Sequence, residues 1–245
     1  MKLALLLALV ACGRPGTVTP PAAGPIPASA EHLITGVVAD WDTTEATLRH
    51  YRRDEGRWVL VGDPWPAVIG KTGAAWGAGL HGTGAPPGRS GPRKHEGDGK
   101  APAGVFGLRG SYGYAATPPA GIALPYHQVD ATTECVDDPA SRHYNAILAR
   151  DAAADWKSSE QMRRPDELYT WVIDIAHNPE RTPGAGSCIF FHVWQGPGSA
   201  TVGCTAMAEP KLAALLSSLD AHAVYVLLPR AEYEALAAAW QLPPQ

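Results

Sequence analysis

The chain has 245 residues and a formal net charge of -4, and its basic residues gather in nothing longer than fragments such as GPRKHEG. A nucleic-acid surface needs clustered lysine and arginine on a basic domain, so that class is excluded. A hydrophobic content of 45% fills one ordinary core and excludes disorder outside 13–31, while 26 glycines and 23 prolines favour short strands joined by loops over a helical bundle.

The first twelve residues, MKLALLLALVAC, combine Lys2 with an apolar run from Leu3 to Val10 that is too short for a transmembrane helix. This predicts a leader over 1–11. LVAC resembles the lipobox of bacterial lipoproteins. That resemblance implies lipidation of Cys12 and attachment to a membrane, the outer one where the cell has two; an ordinary secretory leader is the alternative. Residues 12–31 are rich in proline, alanine and glycine and read as a semi-extended tether. One folded domain is expected over 32–245.

Within it, LITGVVA predicts a strand at Leu33–Ala39, and two more follow at Ala46–Arg52 and Arg57–Val61 around an Asp-Glu-Gly turn. AVIG at 67–70 is a fourth. From Gly70 to Ala131 the density of glycine and proline reads as a long irregular region, functional or hiding short strands. ASRHYNAILARDAA reads as partly helical. LYTWVIDIAH (168–177) alternates, with Trp171, Ile173, Ile175 and His177 on one face, and SCIFFHVW (187–194) is a continuous run suited to a central strand. Leu212, Leu215, Leu216 and Leu219 have helical spacing behind Pro210, AVYVLLP (223–229) is a strand, and RAEYEALAAAWQL ends the chain as a helix. The fold class is mainly β with helices, α+β, in a single domain with C-terminal helices.

The chemistry concentrates in FHVWQGPGSATVGCTAM. On the strand 187–194, residues 188, 190, 192 and 194 share a face, which holds His192 near the strand end. A glycine-rich loop then returns Cys204, 12 positions later. The thiolate is the reactive form of cysteine, and a neighbouring imidazole can take the thiol proton. Gly203, with no side chain, allows backbone N–H groups of Gly203 and Cys204 to face a developing oxyanion. A buried, inert cysteine packed as a small hydrophobe is the competing reading of Cys204 taken alone.

With IFFHVW before it, SATVGCTAM resembles the active-site signature of the L,D-transpeptidase (YkuD-like) family, with His192, Thr201, Gly203 and Cys204 at the matching positions. KHEGDGKAPAGVFGL (94–108), ECVDDPASRHYN (134–145), WKSSEQM (156–162) and HNP (177–179) match further blocks of one branch, so the resemblance covers about residues 33–230. It implies a YkuD-like mixed β-sandwich and a cysteine acyltransferase working on peptidoglycan stem peptides through a thioester, with no metal or diffusible cofactor. L,D-carboxypeptidase or endopeptidase activity would use the same pair, and a non-catalytic wall-binding lipoprotein is the reading from another class. Two departures concern substrate recognition: Val202 replaces the second histidine of the commoner pattern, and Ala206 replaces an arginine.

Cys135 and Cys188 remain, and in an exported chain two spare thiols either pair or lie buried. His177 and Asn178, at a neighbouring strand end, are candidates for lining the cleft. Asp137 and Asp138 are candidates for stem-peptide contact or for a turn before Pro139, and Trp194 reads as core more than as a substrate platform. For Glu160 and Tyr144 only the resemblance speaks. Gly97, Gly99, Pro102 and Gly104 are expected to shape a loop. No H-x-x-x-H, HExxH or paired CxxC spacing supports a zinc hydrolase.

Overall fold

A computed structural model of the chain describes residues 24–118 and 120–245. The leader, Cys12 and the first part of the tether lie outside the described residues. The strands in chain order are β1 (His32–Val38), β2 (Glu45–Asp54), β3 (Arg57–Leu60), β4 (Trp65–Val68), β5 (Ala74–Trp76), β6 (Ala78–Gly79), β7 (Gly82–Thr83) and β8 (Ala101–Gly113). There follow β9 (Tyr126–Gln128), β10 (Thr133–Val136), β11 (Ile147–Ala149), β12 (Ser159–Gln161), β13 (Trp171–Ile175), β14 (Phe190–Val193) and β15 (Thr205–Met207). Helix α1 (Glu209–Leu216), β16 (Val224–Pro229) and helix α2 (Arg230–Trp240) complete the chain. None of the described helices is long and apolar enough to cross a membrane.

The main sheet runs β1-β16-β8-β13-β14-β15-β4-β2, and β2 pairs back onto β1. The ladder therefore closes into a barrel of eight strands, where the resemblance implies a mixed β-sandwich. Closure depends on β1, which pairs parallel with β16 (Leu33 opposite Val224) and antiparallel with β2 (Leu33 opposite Tyr51). A strand paired on both sides leaves no open edge. At this size the lumen is filled by side chains: Leu48, Phe106, Ile173, Phe191 and Tyr225 share one face of the ladder and one buried cluster. Helix α1 adds Leu212, Leu215 and Leu216 to that cluster behind Pro210 in its first turn, and α2 adds Tyr233, Leu236 and Trp240.

The region 70–131 holds the longest strand, β8, which pairs with β16, β13, β5 and β9. Its sequence APAGVFGLRGSYG lacks the β-branched run that announces a strand. Glycine is required where neighbours approach: a Cβ on Gly104, at φ +136°, would lie 2.0 Å from the His81 ring. The segment read as partly helical forms turns and β11 instead, since Asn145 adopts φ 58° and its neighbours pair with β10.

Strand β14 is buried on both faces. Phe191 and Val193 point into the barrel core, while Phe190 joins a second cluster on the outer face with Cys135, Met162, Tyr169, Val172, Cys188 and Cys204. That outer face is roofed by the insertion between β8 and β13, in which β10, β11 and β12 form a separate sheet in the order β11-β10-β12.

Candidate active site

His192 lies on the roofed face of β14, opposite Val172 of β13 and Ala206 of β15. Its Nδ1 is 2.8 Å from the Val193 carbonyl. A carbonyl only accepts, so Nδ1 carries the hydrogen and Nε2 keeps its lone pair. Burial, reinforced by the Arg164 charge, pushes His192 down to about 4, which leaves it neutral near pH 7.

The return loop is pinned before it delivers Cys204. Thr201 receives the Lys71 N–H and gives its own N–H to Ile69, bridging to the segment after β4. Its hydroxyl donates to the Cys204 carbonyl (2.6 Å) and accepts the Gly203 N–H (3.1 Å). This corrects the oxyanion assignment: the Gly203 N–H is already engaged, whereas the Cys204 N–H makes no hydrogen bond among the described residues. Gly203 instead serves close packing, because a Cβ there would sit 3.2 Å from both Ile189 Cδ1 and the Lys100 carbonyl.

Cys204 is buried, and its thiol faces the Cys188 carbonyl at 3.5 Å. It makes no direct hydrogen bond to His192 among the described residues; the two share a cavity of about 290 Å³ with Glu160, Arg164, Tyr169 and Trp194. Burial first, and then the charge of Glu160, push the thiol well above the ordinary cysteine range, opposed by the nearby Phe190 N–H, the Lys94 charge and the Tyr169 hydroxyl. The resting site therefore holds a neutral thiol and a neutral imidazole rather than an ion pair. Trp194, read as core, is half-buried and lines this cavity.

A second cavity of about 210 Å³ reaches Cys204 through Lys94, Glu96, Asp137, Glu160, Ser187 and Cys188, and Val202 borders both. The loop KHEGDGK is fixed here. Lys94 makes a buried ion pair with Asp98 at 2.6 Å, and Glu96 accepts the Tyr144 and Ser187 hydroxyls.

Cys135 and Cys188 are joined by a disulfide that ties β10 of the roof to the residue two positions before β14. Asn145 reinforces the tie, accepting the Cys188 N–H and donating to the carbonyls of His177 and Asn178. His177 and Asn178 line neither cavity, a correction to their expected role. His177 Nδ1 accepts the Ala78 N–H, and its Nε2–H donates to Ala185. Asn178 folds the 178–186 loop through Thr182 and Gly186. The reason is parity: His177 follows Ile173 and Ile175, which face the barrel core, whereas the cleft side takes Val172.

Sequence reasoning missed Tyr169. Its hydroxyl donates to Glu160 on β12, and its ring stands edge-on to His192 with centroids 5.1 Å apart. Only a knowledge of how the roof folds back could have found it, since neither residue belongs to the Cys-His segment.

No family model, curated protein or solved structure matched the chain.

Proposed function

We propose that this chain is an L,D-transpeptidase-like cysteine acyltransferase acting on peptidoglycan stem peptides, built on a YkuD-like domain. The observation that carries the reading is the shared cavity, where Cys204 and the unprotonated Nε2 of His192 face one space under a fixed roof. The motif blocks resembling that family supply the substrate class. Cys204 attacks the carbonyl of the third stem residue, a C–S bond forms, the C–N bond breaks, and D-alanine leaves with the thiol proton. An amine of a second stem then attacks the thioester and the sulfur is released as a thiol. His192 is the proton carrier, taking a proton from the attacking group and returning one to the departing group. The Cys204 N–H is the donor positioned for the oxyanion. A lipid on Cys12 would hold the enzyme at a membrane facing the wall, with the tether giving reach.

The test is incubation of the purified protein with disaccharide-tetrapeptide, with products weighed by mass spectrometry. A cross-linked dimer lacking one D-alanine is the expected product. Monomeric tripeptide would make the enzyme an L,D-carboxypeptidase, with water as acceptor, and unchanged substrate would sink the proposal for this donor.

A further inference from the structure

Two cavities meet at Cys204, and they differ in what lines them. The larger holds His192 with Arg164, Tyr169 and Trp194, while the smaller holds Lys94, Glu96, Asp137, Glu160 and Ser187. His192 borders only the larger. The leaving amine and the incoming amine exchange protons with the same base, so both pass through the larger cavity. The acyl portion of the donor then extends from Cys204 toward the smaller one.

Charge in the smaller cavity is unbalanced. Its one lysine is committed elsewhere: Lys94 Nζ is 2.6 Å from Asp98 and 2.9 Å from the His95 carbonyl. Glu96 accepts only neutral donors, the Tyr144 and Ser187 hydroxyls and the Gly97 N–H, and Glu160 accepts the Tyr169 hydroxyl. Asp137 Oδ1 is buried with no hydrogen-bond partner among the described residues. Register explains how these groups converge. Glu160 stands directly opposite Cys135 on β10, and Asp137 follows Cys135 by two positions, so all three turn toward the disulfide and the cavity. Asp138 is spent on a turn instead, accepting the Ala140 and Lys157 N–H groups. A buried carboxylate oxygen without a donor is costly, and a cation entering beside it lowers that cost.

We propose that the smaller cavity is a subsite for a primary ammonium on the side chain of the stem residue whose carbonyl is attacked. Asp137 is its main counter-ion, and Glu96 and Glu160 complete a wall of three carboxylates. The ammonium brings three N–H donors and no acceptor, which matches a wall of acceptors. A cavity of about 210 Å³ has room for a short aliphatic chain ending in that group. The assignment rests on the acyl transfer proposed above and adds which side chain the donor must carry. Asp137 sets specificity and touches no reacting atom.

Charged thiol reagents test the cavity without any peptidoglycan. An alkyl methanethiosulfonate reacts with Cys204 so that an S–S bond forms, the bond to the sulfonyl sulfur breaks, and methanesulfinate leaves with the electron pair. The 2-aminoethyl reagent places an ammonium two carbons from the sulfur, and the 2-sulfonatoethyl reagent places an anion there. With each rate divided by that for a small free thiol, the wild-type protein should prefer the cation by about tenfold or more. Asp137→Asn should lose most of that preference, Asp137→Glu should recover part of it, and Asp138→Asn should keep it. Equal normalised rates in the wild type, or an unchanged preference in Asp137→Asn with its thermal melt intact, would overturn the subsite.

Acylation of Cys204, followed by intact mass, then reads the donor alone. Two disaccharide-tetrapeptides are compared, one with a free side-chain amine on the third residue and one with that amine acetylated. The wild type should need about tenfold more of the acetylated donor for half-maximal acylation, and Asp137→Asn should treat the two alike. Equal acylation of the wild type by both donors would overturn the assignment to the donor side chain. A cation preference with no acylation by either donor would keep the cation site and remove the stem peptide as its ligand, so the two failures are told apart.

Discussion

In the barrel, β8, β13, β14 and β16 pair along a closed ladder over a lumen of Phe106, Ile173, Phe191 and Tyr225, and the Arg109–Asp174 ion pair links β8 to β13. In the roof, strands of three or four residues enclose one small apolar cluster, and polar centres do most of the holding. Glu134 is the clearest of these. Its carboxylate accepts from Arg150 (2.8 Å), Trp156 (2.7 Å) and Ser159 (2.6 Å), and the Arg150 bond first among them draws it down to about 2. Asp155 and Asp166 organise shorter stretches in the same way, through Ser141 and Arg164. Cys204 and His192 belong to the barrel, whereas Glu160 and Tyr169 come with the roof. One scaffold is thus stabilised by diffuse apolar burial and its cover by a few discrete links, so the cover can be lost while the scaffold stands.

The strongest way to break the comparison is to cut the covalent link. Replacing Cys135 and Cys188 with serine opens a loop whose ends are 53 residues apart. The chain-entropy model sets the cost at about 4 kcal/mol. Hydrogen exchange should show amides of β10 and β12 losing protection while those of β8 and β16 keep theirs; equal loss in both regions would show a single cooperative unit.

Acid sharpens it from the barrel side. His50, His177 and His192 are each pushed down to about 4, burial being the main cause in every case. The unfolded chain binds protons on these rings below about 6.5, but the folded protein does not until about 4. Their stabilisation is therefore complete above pH 6.5 and is lost as pH falls through 4, by roughly 3 kcal/mol for a fully buried ring. His177 is the best test, because both of its nitrogens are used by backbone. In His177→Gln, denaturant melts between pH 6.5 and 4 should lose less stability than wild type by about that amount; an unchanged slope would contradict the assignment.

The smallest effect is expected at the join. Thr201→Val removes two hydrogen bonds and should cost about 1–2 kcal/mol, and Thr201→Ser should restore most of it. Chemical denaturation of the pair would measure the difference, and equal losses in both variants would place the effect in the methyl group instead.

Much of this frame was legible in the sequence. The continuous run before His192 reads as a strand buried on both sides, and the leucine spacing after Pro210 reads as a helix. Barrel closure was not legible, because it rests on β1 also pairing with β16, about 190 residues away, which no local pattern encodes. The long strand β8 was hidden by its glycines, chosen for close packing and not for β propensity. Gly203 seemed suited to an oxyanion role because its own backbone could not reveal that Thr201 takes its N–H. Tyr169 was read only as the start of a strand, since its meeting with Glu160 and Cys204 exists only once the roof is folded.

The most direct test of Cys204 as the nucleophile is intact-protein mass spectrometry during reaction with disaccharide-tetrapeptide. The wild-type protein should gain the mass of one acyl group, substrate minus D-alanine, and the adduct should map to the peptide containing Cys204. Cys204→Ala should gain nothing and form no product. An adduct on another residue, or turnover retained by Cys204→Ala, would contradict the account.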